Sequence, residues 1–108
     1  MESWDLRSME VAPHQPAVLQ SEGEGRSIVI QLPAGEALQE HQVHERAWLV
    51  VVEGEVELVQ NGEGSPASAG TLAVFDPAER HEVRARSDAR LLLLLAPWPG
   101  EGHPRQRT

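Results

Sequence analysis

The stretch that decides the fold is Pro33-Ala34-Gly35-Glu36-Ala37-Leu38-Gln39-Glu40-His41, continuing through Ala47-Trp48-Leu49-Val50-Val51-Val52-Glu53-Gly54-Glu55-Val56. A glycine turn leads to a histidine. Residues 47–52 then read as a strand that is apolar on both faces, as suits a strand deep in a sandwich or barrel. Glu53-Gly54 is a tight turn. Beyond it Glu55–Gln60 alternates, with Val56 and Leu58 on one face and Glu55 and Glu57 on the other.

The flanking sequence continues in the same manner. Ala17–Gln20 is a short strand closed by a Ser-Glu-Gly-Glu-Gly turn, and residues 27–32 alternate, with Ile28, Ile30 and Leu32 sharing a face. Asn61-Gly62 is a strong hairpin signal, because both residues tolerate positive φ. Residues 71–75 form a strand entering Asp76-Pro77, and His81–Ala85 forms a short, half-polar one. Residues 91–95 are five consecutive leucines and read as a buried strand. Residues 1–16 are expected to be an arm kept from helix by Pro13 and Pro16, residues 17–96 a single barrel, and residues 97–108 a surface tail. Eight or nine strands in so short a chain point to a closed or nearly closed all-β barrel of the jelly-roll type, with an immunoglobulin-like sandwich as the alternative.

Composition excludes several chemistries. The chain has 108 residues, one domain by size, and a formal net charge of -8. Such a balance opposes nucleic-acid binding, which needs a basic face. No apolar run approaches a membrane span, and the polar, acidic start is not a secretory signal. Cysteine is absent, which removes disulfides and thiolate chemistry and fits a cytoplasmic protein. Lysine and tyrosine are absent too, so neither a Schiff base nor a phenolic proton donor is available. The remaining chemistry belongs to His, Asp, Glu, Ser and Thr, with or without a metal. Arg84, Arg86 and Arg90 are expected to face solvent.

The spacing of glycines and histidines resembles that of the cupins, in particular small single-domain, RmlC-like jelly-roll barrels of unassigned activity. Their fold is the double-stranded β-helix. In that family a first motif runs from a Gly through two His and a Glu to a Gly, and a second from a Gly through a Pro and a Gly to a His and an Asn. Here Gly35, His41 and Gly54 match the first motif, while Val43 and Ala47 stand at its second His and its Glu. Gly70 and His81 keep the spacing of the second, with Pro77 one place late, Ala78 at the Gly position and Ala85 at the Asn position. The resemblance covers residues 17–96.

It implies a divalent transition metal (Mn, Fe, Ni, Cu or Zn) inside the barrel, with His41 and His81 as ligands. A catalytic metal needs a third protein ligand. His44 is the nearest candidate, but strand parity turns it away from His41 unless a bulge intervenes. Glu45 has the parity of His41, Ala47 and Leu49, and so is able to replace the missing carboxylate. Asp76 and Glu79 flank Pro77 within reach of orienting His81.

Three functions follow: a metal-dependent cupin enzyme acting on a small molecule; a metal-free barrel in which the histidines are polar hooks for a small ligand; or an interaction module without catalysis. A homodimer is expected in each, because Trp48, Val50 and Val52 fall on an outward face and would otherwise be wet. The arm before Ala17 is placed to add a strand to the partner. Trp98 is a candidate cover for the barrel mouth.

Overall fold

Period-two alternation, interrupted by turn residues at short intervals, folds into nine strands in a computed structural model that describes residues 1–21, 23–40 and 45–97. The strands are β1 (Ala17–Gln20), β2 (Arg26–Leu32), β3 (Ala37–Glu40), β4 (Arg46–Glu53), β5 (Glu55–Gln60), β6 (Glu63–Ser68), β7 (Leu72–Phe75), β8 (His81–Ala85) and β9 (Ala89–Ala96). They form two antiparallel sheets of order β1-β2-β9-β4-β7 and β3-β8-β5-β6, facing one another around a single core. This is the double-stranded β-helix, not an immunoglobulin-like sandwich.

Three registers position everything that follows. In β4 and β9, Ala47 pairs with Leu95, Leu49 with Leu93 and Val51 with Leu91, and all six side chains are buried. In β2, Ile28, Ile30 and Leu32 continue these rows against Leu93, Leu91 and Ala89. From the second sheet Val56 and Val83, both fully buried, close the core. Each fully buried Val or Leu side chain contributes about 1.5–3 kcal/mol.

The turns obey their residues. Asn61 (φ 55°) and Gly62 (φ 78°) form a two-residue loop that pairs Gln60 with Glu63. Gly54, between β4 and β5, has φ +84°, and a Cβ there would meet the Asp88 carbonyl oxygen at 2.3 Å, so only glycine fits.

Two strands are hard to read in advance. β6 carries Gly64 and Pro66, both poor strand formers; it persists as a sheet edge, where a missing N–H costs little. β3 is four residues long and owes its conformation to β8, against which Glu40 pairs with His81.

Arg90 does not face solvent as the sequence suggests. It is 8% exposed, and its Nη1 donates to the carbonyls of Leu6 (3.1 Å), Arg7 (3.3 Å) and Met9 (2.5 Å) while Nε donates to Gln31 (2.9 Å). Those carbonyls converge because residues 5–9 form a single helical turn. Met9 N–H bonds the Asp5 carbonyl, and the Asp5 carboxylate accepts from the N–H groups of Arg7 and Ser8, an N-cap arrangement. The guanidinium sits where the turn's carbonyls point. Residues 5–9 of the arm therefore lie on the chain's own sheet, held further by Arg7 on Glu53 and His14 on Glu36. Arg84 and Arg86 do face solvent, paired with Glu82 and Glu57.

Replacing Arg90 with Met keeps its bulk and removes its bonds. We expect Arg90→Met to lower the unfolding free energy by about 2–3 kcal/mol and to expose residues 1–16 to limited proteolysis. Wild-type cleavage rates in the variant would show that the arm is held by other contacts.

Candidate functional site

Polar side chains enter the interior at one end of the barrel. The inner row Arg26–Leu95–Ala47–Phe75 runs across the five-stranded sheet at that end. Glu45 lies two residues before Ala47, with the same parity, and is 2% exposed. In the facing sheet the same end holds His81, 7% exposed, at the start of β8. Gln60 ends β5, one step beyond the Val59–Glu82 pair, and so reaches the same level. The opposite end, where Leu32, Val51, Val56, Ala85 and Ala89 meet, is apolar and buried throughout.

His81 is fixed by stacking and by its turn. Its ring lies on Phe75 with centroids 3.8 Å apart and planes 8° from parallel. The Asp76-Pro77-Ala78-Glu79 turn delivers it. There Glu79 uses both carboxylate oxygens, accepting from the Asp76 N–H and, at 2.6 Å, from Gln60 Nε2. Arg46 pairs with Asp76 on the outer rim. The Asp76 carboxylate is thus engaged by Arg46, while Glu79 closes the turn and acts on the histidine through its backbone and its charge.

Burial pushes the His81 imidazole below the ordinary histidine range, against the Glu79 backbone and carboxylate, which favour the charged form. Its Nδ1 is buried and makes no hydrogen bond among the described residues. A buried imidazole nitrogen without a partner costs about 1–3 kcal/mol, so its retention calls for a reason.

Of the four metal ligands expected from the sequence, Glu45 and His81 are both buried. His41 and His44 lie outside the described residues. Among the described residues no three His, Asp or Glu side chains are grouped to hold a metal ion. Trp98 also lies outside them.

Three contributors escaped sequence reasoning. Phe75 is the only phenylalanine of the chain, and its partnership with His81 becomes visible only when β7 and β8 face each other. The Gln60–Glu79 bond spans a hairpin and has no local signal. Ala78 did have one: it occupies the motif's Gly position, and its φ of 68° is the left-handed conformation that glycine takes freely. Beside Phe75 a recess of ≈ 260 Å³ is lined by Leu58, Val59, Gln60, Glu63 and Ser65. It stands at the lower edge of small-ligand sites, which are typically about 300–1,000 Å³.

Comparison with known proteins agrees with this architecture. A family model described as a cupin domain matches residues 28–97. No curated protein is significantly similar. Among solved structures, an RmlC-like cupin protein from Desulfovibrio desulfuricans is 26% identical, with a TM-score of 0.80 over 90% of this chain and 97% of that one. An uncharacterized conserved protein with a double-stranded β-helix domain from Klebsiella pneumoniae is 18% identical, with a TM-score of 0.74 over 90% of each chain. A putative ethanolamine utilization protein Q from Salmonella typhimurium is 19% identical, with a TM-score of 0.68 over 77% of this chain and 68% of that one. The last two speak to fold alone.

Two outcomes are expected. The folded-state pKa of His81 lies below the unfolded value near 6.5, so the unfolded chain binds more protons between the two. Stability is then undiminished above the unfolded value and declines as pH falls through it towards the folded one. His81→Phe removes this term, so the stability gap between variant and wild type should widen in the variant's favour from neutral to mildly acidic pH in urea titrations. A constant gap would show that His81 titrates alike in both states. Separately, Ala78→Gly relieves about 1–2 kcal/mol of left-handed strain against about 0.4–1 kcal/mol of added unfolded-state entropy. The variant should be slightly more stable than wild type; a loss of stability in thermal unfolding would contradict strain at this turn.

Proposed function

The chain belongs to the cupin domain family, and from that premise we propose that the polar end of its barrel holds a divalent transition metal together with a small molecule. Cupin domains often bind transition metals. The observation that carries the proposal is the buried Nδ1 of His81, which has no hydrogen-bond partner among the described residues, together with the buried carboxylate of Glu45. One imidazole and one carboxylate fit Mn, Fe, Ni, Cu or Zn; His41, of the same parity as Glu45, is the further ligand we assign, with His44 the alternative to Glu45. When bound, such an ion supplies Lewis acidity or an oxygen-binding centre.

The chain's own residues do the rest. Phe75 holds the His81 ring in one plane. The Gln60–Glu79 bond fixes the turn from which His81 projects. Leu58 and Phe75 give the adjoining recess an apolar wall, and Gln60 and Ser65 give it hydrogen-bonding groups, so a small mixed-polarity molecule suits it. We place the protein in the cytoplasm, a reading supported by its cysteine-free composition; among the described residues no helix is long and apolar enough to cross a membrane. We further propose that it works as a homodimer and has no nucleic-acid partner.

A second reading is a metal-free barrel in which the same histidine is a hook for a small molecule, supported by the recess that Phe75, on whose ring His81 stacks, lines with Gln60 and Ser65. Elemental analysis of reloaded wild type beside His81→Ala separates the two. Metal binding predicts close to one equivalent in wild type and most of it lost in the variant. Less than about a tenth of an equivalent in wild type would end the metal reading, and a thermal shift with small metabolites but not with metal salts would favour the second.

A further inference from the structure

Between residues 12 and 16 the arm spans an opening in the barrel wall. β1 begins at Ala17, paired with Val29, and β2 runs on beyond it through Ile30–Leu32. β3, which follows the Pro33–Glu36 turn, is the edge of the facing sheet. The chain passes over the gap between these two segments on its way into β1. Under it lies a recess of ≈ 170 Å³, roofed by Ala12, His14 and Pro16 and floored by Ile30, Leu32 and Leu38. Leu32 pairs with Ala89 at the apolar end of the barrel, whereas His81 pairs with Glu40 at the other, so the recess is separate from the site described above.

The roof is anchored on both sides. Upstream, Arg90 holds the carbonyls of Leu6, Arg7 and Met9, and downstream β1 pairs with β2. In between, the Gln15 N–H bonds the Ala12 carbonyl at 3.2 Å and closes a β-turn. Pro13 at its second position and a left-handed residue at its third make the type II arrangement, in which the third residue is usually glycine. That residue is His14, with φ 65°. Strain accepted at a residue other than glycine points to a use for its side chain. The His14 side chain closes the mouth of the recess, with Nε2 donating to Glu36 Oε1 at 2.6 Å. Gln31, in the wall, is held by Arg90 Nε. The walls are therefore fixed before any ligand arrives, which lowers the cost of binding one.

Size and polarity narrow the ligand. Ile30 and Leu32 belong to the hydrophobic core and Leu38 packs against it, so the floor is apolar. An apolar cavity of about 150 Å³ accommodates a benzene ring, and this one takes a body of that bulk. Glu36 is the one acid of the lining, and no arginine lines it. The bond from His14 engages Oε1 and leaves Oε2 to a second donor. A carboxylate only accepts, so the ligand's polar end has to donate, and an ammonium does so with charge assistance. The chain's 17 acids against nine arginines attract a cation and repel an anion.

We propose that this recess is a second ligand site of the chain and takes a small primary amine, its single-ring or branched apolar body on Ile30, Leu32 and Leu38 and its ammonium on Glu36 beside His14. The site works without the metal proposed for the other end of the barrel.

Benzylamine is the probe, with benzyl alcohol and benzoate beside it, each titrated into the full chain and followed by backbone amide NMR. Benzylamine should shift the amides of His14 and Gln15 and those among residues 30–38, and saturate with a Kd on the order of 1 mM. Benzyl alcohol should bind about 10-fold more weakly and benzoate more weakly still. Ala12→Leu fills the recess from the roof and Ala37→Leu from β3; both residues are exposed, so the fold is kept, which circular dichroism checks. Each variant should bind benzylamine at least about 10-fold more weakly than wild type. No shift at these amides, shifts that do not saturate, or binding that survives both leucines would overturn the site. Benzyl alcohol or benzoate binding as tightly as benzylamine would overturn the choice of an amine. The metal content of the His81 end is a separate readout, so failure here leaves that reading standing.

Discussion

The pairing of β4 with β9 is the constraint on which the rest of the structure depends. Its register puts Ala47, Leu49 and Val51 inside against Leu95, Leu93 and Leu91, and Trp48 and Val50 outside against Leu94 and Leu92. Side chains alternate with period two, so a slip of one residue would exchange the faces. Trp48 would then have to fit where Ala47 is 1% exposed, and Glu45 would leave the interior. Inner site and outer face are two consequences of a single register. The five leucines of β9 do not set that register, because a leucine run is the same at every offset. It is set by β4, where Ala47 faces in and Trp48 out, and by Gly54, whose turn leaves no room for a Cβ.

This explains which parts of the fold were legible in the sequence. Ala17–Gln20, Glu55–Gln60 and His81–Ala85 could be read directly because alternation and turn residues agree there. β6 could not, since Gly64 and Pro66 argue against a strand and only the Asn61-Gly62 hairpin and the edge position permit one. Arg90 was misread for a related reason. Its burial depends on an arm more than eighty residues away in sequence, and the only local hint is the helical turn capped by Asp5. In the site, the burial of Glu45 agrees with the parity it shares with Ala47 and Leu49. The Phe75–His81 stack was not legible, because it joins strands of different sheets.

The departures from the family's motifs also have a physical logic. Ala47 stands where the first motif carries a carboxylate, and it pairs across the sheet with Phe75. A methyl group there leaves Leu95 and Ala47 as apolar neighbours of the ring on which His81 stacks. The nearest inward carboxylate is then Glu45, one pleat nearer the barrel's end and still 2% exposed. The polar layer is therefore displaced outward by one row and not abolished. Below it the interior is filled by the buried side chains of Val56, Val83 and Leu91.

At that end, order comes from the turn more than from the strands. β8 begins at His81, so its backbone pairing holds the histidine only from the C-terminal side. On the N-terminal side the chain passes through Ala78, at a φ that a side-chain-bearing residue rarely adopts, and through Glu79, whose carboxylate is bound at both oxygens. A glycine at residue 78 would relax the turn but enlarge the range of backbone conformations open to it. Alanine narrows that range at the cost of strain, and the Asp76 N–H and Gln60 bonds to Glu79 offset it. The stack on Phe75 fixes the remaining freedom, rotation of the ring. The buried imidazole is thus oriented by the Phe75 ring and the Glu79 backbone, and its Nδ1, which has no hydrogen-bond partner among the described residues, is the nitrogen to which the proposed ligand is assigned.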